Sequence, residues 1–461
     1  MRSAERSEPQ RGEAVEEGTL ARKELGVGLI GFGTIGTGVV RILREHSAEI
    51  SARLGAPLRL AKIADLDIRS DRGIKIPKGV LTTNARELIH DPAVDVVVEL
   101  IGGLEPARSF QLEALKAGKP VVTANKAVLS AHGVELATAA EKAGVGLGFE
   151  ASVGGGIPII RALRESVAAD RNLEVYGIVN GTCNYILSEM AAGNGEFADV
   201  LARAQKMGLA EANPSYDVDG LDSLHKLVIL TALAFGKLID PKTVQVEGIR
   251  SVSGIDMAYA RDFGYTIKLL AVARDTVRGV EARVHPAMVP NNHLLANVGG
   301  PFNAVCLRGR ALDTSIYYGR GAGMMPTATA VVADVIDAAR ALRAGRAPLV
   351  PPYGQPAAGL KKAKVVDMGG TEHEHYIRFQ LSDKPGALAR ITTILAKAGI
   401  SIATVAQHEK PSKGAVPVVM RTHRAKEAAL AKALVAVAKL AEVRAKPVVI
   451  RVEEQLGEAG A

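Results

Sequence analysis

The 461-residue chain reads as an α/β protein, with an alternating strand–helix region first, an α+β region second and a small βαββαβ module last. Three observations predict this. The length leaves room for three cores at a soft prior of ~150 residues per domain. Apolar runs that end in glycine or turn residues and lead into helical stretches recur from residue 26 to residue 148, the pattern of parallel βαβ units. Past residue 376 the runs read strand, helix, strand, strand, helix, strand. The expected division is a disordered tail at 1–24 and a first domain at 25–148 with a returning helix at 326–345. A second domain at 149–325, a linker at 346–372 and a third domain at 373–455 follow.

Composition narrows the function. Hydrophobic residues make up 48% and aromatics 4%, with no Trp, so the cores are aliphatic. The net charge is +8, but the basic residues are dispersed without interleaved aromatics, which argues against nucleic acid as a partner. The two cysteines, Cys183 and Cys306, form no disulfide framework and no metal-spaced pair, which fits a cytoplasmic protein. The first two dozen residues mix both charges and lack an apolar stretch, so neither a signal peptide nor a membrane anchor is expected there. No later run is long and uncharged enough to span a bilayer.

The first domain opens with an apolar run, Gly26 to Phe32, that flows into Gly31-Phe32-Gly33-Thr34-Ile35-Gly36 and then a helix. Strand, G-x-G-x-x-G turn and helix in this order form a Rossmann-type dinucleotide site. Gly31 makes the turn, Gly33 admits the pyrophosphate, Gly36 permits close packing, and the helix N-terminus carrying Thr34 and Ile35 favours the anion. The next strand, Leu58 to Ala64, ends at Asp65, whose carboxylate suits ribose hydroxyls and NAD. Arg69 and Arg72 follow and suit a 2′-phosphate, so NADP stays open. Gly102 and Gly103 follow the run Val94 to Ile101, and Thr123-Ala124-Asn125-Lys126 follows Val121-Val122. Both lie at strand carboxyl ends, where open parallel sheets bind ligands.

In the second domain, Phe149 to Pro158 is a glycine-rich loop that opens a helix at Pro158. No Gly-Lys-Ser/Thr follows, so it is not a phosphate loop, and its exposed carbonyls are hard oxygen donors for a cation. Asn180 to Tyr185 links a strand, Glu174 to Val179, to another helix. Cys183 there raises the alternative of a cysteine nucleophile at a helix start, against a small packing residue. The densest chemistry lies between Ala204 and Lys226, where Glu211, Asp217, Asp219, Asp222 and Lys226 share one turn-and-helix segment. Asp222 and Lys226 are i,i+4 neighbours on a helix expected to run to Phe235, so a carboxylate can orient an ammonium for proton transfer. Strand-rich sequence from Val244 to Tyr318 predicts an open sheet whose exposed face pairs two subunits. Gly319 to Thr327 then leads into a helix, Ala328 to Arg343.

Ala204, Gly208, Leu209, Ala210, Asn213, Pro214, Asp217, Gly220, Asp222 and Lys226 resemble the homoserine dehydrogenase signature without a gap. The resemblance runs from about Val27 to Arg343 and implies hydride transfer between a nicotinamide and the C4 carbonyl of L-aspartate 4-semialdehyde, giving L-homoserine for threonine, methionine and isoleucine synthesis. It implies Lys226 as the acid, Asp222 as its orienting partner and Lys126 as a second cation beside nicotinamide and substrate. Glu211 and Asp217 would grip the substrate ammonium. Gly181 and Thr182 would line the shared pocket, and Gly323, in Gly-x-Gly-Ala-Gly-x-x-Pro-Thr, would border the cofactor. The loop after Gly148 would carry a sodium ion on oxygens of Glu150, Val153, Gly155 and Ile157, largely through the main chain. A homodimer or homotetramer is expected. Two other readings are another Rossmann-type amino-acid dehydrogenase and a non-catalytic amino-acid sensor, though a sensor has no use for Lys126, Glu211, Asp222 and Lys226 together.

Pro348 to Gly359 is proline-rich and reads as a linker. Asp383-Lys384-Pro385-Gly386 turns between the first strand and helix of the last module, and Asp-x-Pro-Gly-x-Leu with this ferredoxin-like order resembles the ACT domain, a regulatory amino-acid-binding unit. An effector such as L-threonine would then sit at Asp383, Pro385 and Gly386.

Overall fold

The computed structural model describes residues 24–407, 415–454 and 456. The sequence also predicts a strand from Ile400 to Glu409, and its far end, like the expected tail apart from Glu24, lies outside the described residues. Strands β1 (Leu25–Ile30), β2 (Leu58–Ala64), β3 (Leu81–Thr82), β4 (Val96–Glu99), β5 (Val121–Thr123) and β6 (Leu147–Gly148) form a parallel sheet in the order β3-β2-β1-β4-β5-β6. Helices α1 (Thr34–Glu45), α2 (Ser47–Leu54), α3 (Ala85–His90), α4 (Ala107–Lys116) and α5 (Lys126–Ala143) connect them. Val27, Leu29, Val96, Val97, Val98, Val121 and Val122 are all buried, as continuous apolar runs must be when helices cover both faces. Strand order reverses between β1 and β4, and Gly31, Gly102, Gly103 and Thr123 lie at the carboxyl ends around that point.

The second region contributes α6 (Ile159–Arg161), α7 (Gly181–Ala191), α8 (Phe197–Lys206), α9 (Ser215–Val218), α10 (Leu221–Phe235) and α11 (Gly254–Asp262). Its sheet has β7 (Asn172–Ile178), two short strands β8 (Lys237–Leu238) and β9 (Gln245–Val246), then β10 (Tyr265–Thr276), β11 (Gly279–Pro290), β12 (Phe302–Gly309) and β13 (Thr314–Arg320). The main order is β13-β12-β7-β10-β11, with β7, β10, β11, β12 and β13 antiparallel to their neighbours. Alternation sends Ile267, Leu269, Ala271 and Ala273 of β10 into the core that also holds Leu227, Val228, Leu230 and Leu233 of α10. Helix α10 is apolar almost all round because it lies between this sheet and α5. Helix α12 (Met324–Arg343) starts one turn earlier than expected and returns to pack on α1.

Two expectations are corrected. The second face of this sheet was expected to lie exposed, but Tyr176, Ile178, Leu270 and Val272 are buried under Leu295, Ala296, Val298 and Leu456 of the same chain. The proline-rich segment is a fitted strap rather than a plain linker. Tyr353 is buried against Phe149 with ring centroids 5.3 Å apart, β14 (Lys361–Lys362) pairs with β8, and Val365 bridges to Val280.

The last module has β15 (Glu372–Ser382), α13 (Ala387–Lys397), β16 (Ile402–Ala406), β17 (Ala415–Thr422), β18 (Ala425–Lys426), α14 (Glu427–Val437) and β19 (Val448–Val452). This is the expected βαββαβ order, with sheet order β19-β15-β17-β16. The module is not merely appended. β19 pairs in parallel with β11 at Ala287↔Arg451 and Met288↔Val452, making one continuous sheet. Beside this seam the buried Glu453 carboxylate accepts from the buried Arg283 guanidinium, and Arg451 pairs with Glu427 and, at 3.0 Å, with Glu247. Charges in such a place need partners to be tolerated.

Candidate active site

Gly220, at φ +87°, lets the chain turn sharply into α10 and sets Asp222 in its first turn. Lys226, one turn on, donates from Nζ to Asp222 Oδ2 at 2.7 Å and to the Val179 carbonyl at 2.6 Å. Lys126, at the start of α5, reaches the other carboxylate oxygen, with Nζ 3.1 Å from Asp222 Oδ1. Asn180 completes the group: its Nδ2 donates to Asp222 Oδ2 and to Asp217 Oδ1, both at 2.8 Å, while its Oδ1 caps α7 by accepting the Cys183 N–H. One carboxylate therefore orders two lysines that come from different domains.

The electrostatics follow from that sharing. Burial pushes the Asp222 carboxyl up, but Lys226, Lys126 and the hydrogen bonds from Lys226 and Asn180 outweigh it and hold Asp222 far below the usual range. Burial pulls the Lys126 ammonium down, yet Asp222, Tyr216 and Asp217 reverse this and leave it raised. Lys126 also lies 5.5 Å from the centroid of the Tyr216 ring, and the Tyr216 hydroxyl sits 3.2 Å from His225 Nδ1. Asp217 is raised, first by its own burial and further by Asp222, with the Asn180 hydrogen bond opposing. The cluster offers a held ammonium, a second cation beside it and a carboxylate within reach of a ligand's charge.

The dinucleotide turn has the required shape. Gly31 adopts φ +100°, and a Cβ at Gly36 would lie 2.2 Å from the Gly31 carbonyl oxygen, so any larger residue there pushes α1 off the strand. Around Gly33 no atom comes within 4 Å of a Cβ position, and no side chain caps α1, so its first N–H groups face open space. Thr34 and Ile35 are exposed and half-buried at that helix start. Asp65 accepts from the Phe32 and Asp67 N–H groups. Arg72 packs its guanidinium 4.9 Å from the Phe32 ring centroid and 3.8 Å from Asp65 Oδ1. Gly102 and Gly103 have φ +74° and +72°. The buried Glu99 carboxylate accepts from Thr123 Oγ1 at 2.8 Å and from the Ile101 N–H, and Thr123 Oγ1 accepts from the Asn125 N–H. This chain ties the glycine turn to the start of the helix bearing Lys126.

Other expected residues fall at different distances from the cluster. Thr182 Oγ1 donates to the Leu209 carbonyl at 2.8 Å, and Gly181 begins α7. Gly323, at φ +121°, precedes α12. Glu211 is exposed, and no hydrogen bond among the described residues reaches its carboxylate, so the structure leaves it outside the cluster. Cys183 is fully buried, its thiol raised well above the usual range by that burial and by Asp217 and Asp222, which removes the nucleophile alternative. The Glu150 carboxylate caps α6, accepting the Ile160 and Arg161 N–H groups at 2.8 Å each. No hydrogen bond among the described residues ends on the Val153 or Gly155 carbonyls, whereas Ile157 O accepts from the Ile159 N–H. No group of three or more potential His, Cys, Asp or Glu metal ligands occurs among the described residues. Asp383, Pro385 and Gly386 form an exposed turn before α13. Sequence reasoning missed Glu99, the roles of Asn180 and Tyr216, and the Val179 carbonyl. Only Asn180 carried a local signal, as an N-cap residue before Gly-Thr.

Comparison with known proteins agrees with this geometry. The family model described as the homoserine dehydrogenase NAD-binding domain matches residues 31–150, that of homoserine dehydrogenase matches 158–336, and that of the ACT domain matches 375–442. A homoserine dehydrogenase of Neisseria gonorrhoeae is 42% identical over 94% of this chain and 99% of its own length. The chain belongs to the homoserine dehydrogenase family. It is an oxidoreductase of that activity, and it carries a C-terminal ACT domain. The crystal structure of a Thiobacillus denitrificans homoserine dehydrogenase superposes with TM-score 0.86 at 42% identity, covering 94% of this chain and 99% of the other. A hyperthermophilic archaeal homoserine dehydrogenase, solved in complex with NADPH, superposes with TM-score 0.59 at 27% identity over 68% of this chain and 97% of its own. No described helix is long and apolar enough to cross a membrane.

Proposed function

We propose that this homoserine dehydrogenase moves the proton through Lys226, with Asp222 as the group that orients it and Lys126 as the cation that polarises the reacting oxygen. The observation that carries this is the single Asp222 carboxylate shared by both lysines, at 2.7 and 3.1 Å. What the nicotinamide supplies is a hydride donor or acceptor at its C4. In the reducing direction the aldehyde carbon gains hydride, its π electrons move to oxygen, and Lys226 donates a proton there to complete the hydroxyl of L-homoserine. The reverse step returns that proton to the Lys226 amine as the C4–H bond breaks. Lys126 lowers the cost of charge on the oxygen, and Asp217, with Glu211 of the same segment, takes the substrate ammonium.

Asp65 and Arg72 side by side favour use of both NAD and NADP, the carboxylate for ribose hydroxyls and the guanidinium for a 2′-phosphate. The archaeal relative's NADPH complex supports the latter. A sodium ion would be held by the main-chain oxygens of Val153 and Gly155, supported by those of Glu150 and Ile157. The effector is an amino acid such as L-threonine at the Asp383–Gly386 turn, and the enzyme acts in the cytoplasm. A homodimer or homotetramer is favoured by β13, which ends the sheet among the described residues, and by the exposed Leu294, Leu312 and Tyr318. Light scattering at 48.3 kDa, the mass of one chain, would refute the oligomer.

The test is steady-state oxidation of L-homoserine with NAD and NADP, with and without L-threonine, in sodium and in choline chloride. Turnover with both dinucleotides, inhibited by threonine and faster in sodium, is expected. Folded protein that binds a dinucleotide yet leaves homoserine unoxidised would sink the reading.

A further inference from the structure

Lys126 reaches the second region not only at Asp222 but also at Tyr216, whose ring centroid lies 5.5 Å from Nζ. That is within the range at which an aromatic face attracts an ammonium. Tyr216 belongs to α9, a helix of four residues, too short to stand by itself. Tertiary contacts hold it. The Ile249 N–H donates to the Val218 carbonyl at 2.9 Å, and Arg250 pairs with Asp219 at 2.5 Å and donates to Ser215 Oγ at 3.0 Å. The ring is thus presented from a clamped turn.

The ring also has an anchor of its own. The Tyr216 hydroxyl lies 3.2 Å from His225 Nδ1, and the two rings meet edge to face with centroids 5.7 Å apart at 88°. Burial raises the Tyr216 hydroxyl, with Lys126 opposing, so it stays protonated. Burial pulls the His225 imidazole down, with Asp222 opposing and Lys126 adding to the pull, so it stays neutral. The phenol is therefore the donor and Nδ1 the acceptor. His225 stands three residues after Asp222 and directly before Lys226 on α10. Helix α10 thus meets Lys126 directly through Asp222 and a second time through His225 and Tyr216. The second contact matters because the Lys126 side chain is 31% exposed. A flexible ammonium that open to water is not fixed in one rotamer by a single contact at 3.1 Å.

We infer that Tyr216 and His225 are a positioning pair for Lys126: His225 fixes the tyrosine ring, and the ring holds the ammonium against Asp222. The inference rests on the reading of Lys126 as the cation that polarises the reacting oxygen, and it names what sets that cation's place. Neither residue need touch the reacting atoms, since both act through Lys126. The pair also joins the two regions, because Lys126 begins α5 of the nucleotide-binding sheet while Tyr216 and His225 belong to α9 and α10. A neutral ring offers little to the charged ends of an amino-acid substrate, which Asp217 and the lysines suit better.

The test is NMR titration of Lys126 in ¹³C-lysine-labelled full-length protein, with kcat, homoserine KM and dinucleotide affinity measured on the same variants. Tyr216→Leu removes the ring. It should lower the Lys126 pKa and cut kcat about tenfold, the scale of one cation–π contact, while dinucleotide affinity stays unchanged. Tyr216→Phe keeps the ring, checks that the turn still folds, and should lose only about threefold, the scale of one exposed hydrogen bond. His225→Ala breaks the same hydrogen bond and should cost about as much, and the double variant Tyr216→Phe/His225→Ala should cost no more than the larger single loss. Additive losses overturn the inference, as does a Lys126 pKa unmoved in Tyr216→Leu. A raised homoserine KM with kcat and the Lys126 pKa intact also overturns it, by making Tyr216 a substrate contact. A Lys126 pKa that falls in Tyr216→Leu while kcat holds would confirm the pair and count against Lys126 as the polarising cation.

Discussion

Asp222 is the residue on which the site turns. Its carboxylate takes three cationic or amide donors and is held far below the usual range despite burial. The same interaction, read from the other side, keeps Lys126 raised. Asp222→Asn removes that support, so the Lys126 pKa should fall, as followed by NMR titration of ¹³C-labelled lysine; no movement would separate Lys126 from Asp222. Loss of about 10²-fold or more in kcat should accompany the fall, within the usual range for disturbed acid–base catalysis. Asp222 with Lys226 was legible in the sequence because i,i+4 spacing is local. Lys126 was legible only through family resemblance, since a lysine at a helix start is more often a surface group. Asn180, Tyr216 and Glu99 depend on contacts across tens of residues, which no local period reports.

At the scale of elements, the join between the glycine loop and the returning helix α12 stores a pH dependence. Asp334 of α12 accepts the Glu150 N–H at 2.8 Å, and Glu150 caps α6. Burial raises both carboxyls, Glu150 to about 7 with Asp334 as the next cause, and Asp334 to about 6. Unfolded, these groups titrate near ~4, so between pH ~4 and ~7 the folded chain binds more protons than the unfolded one. Stability from this pair is therefore present at low pH and is lost as pH rises through 6 to 7. Asp334→Asn removes one titration and lowers the other, so the drop in thermal midpoint between pH 5 and pH 8 should be smaller than in the wild type. Equal drops would contradict the assignment. Most helices and strands were visible from apolar period and turn residues, including α10 and the βαββαβ order. The strap and the covered sheet face were not, because proline-rich sequence does not announce where Tyr353 will bury, nor period 2 what will cover a strand.

Across the whole molecule, the proposed reacting centre is split. Lys126 belongs to a helix of the nucleotide-binding sheet, while Asp222 and Lys226 belong to a helix lying on the second sheet. That second sheet continues through β11 and β19 into the ACT unit, so the ACT unit, the strap and the helix bearing Asp222 and Lys226 share one body. This continuity was invisible in the sequence, since a two-residue parallel register carries no pattern of its own. The most direct test is turnover of L-homoserine by Lys226→Ala, with dinucleotide affinity measured on the same preparation. Asp222 keeps Lys126 and Asn180 as partners in this variant, so the fold and the nucleotide site should persist. Turnover reduced by about 10²–10⁴-fold with dinucleotide affinity unchanged is the expected result. Near-normal turnover would show that the proton travels another way.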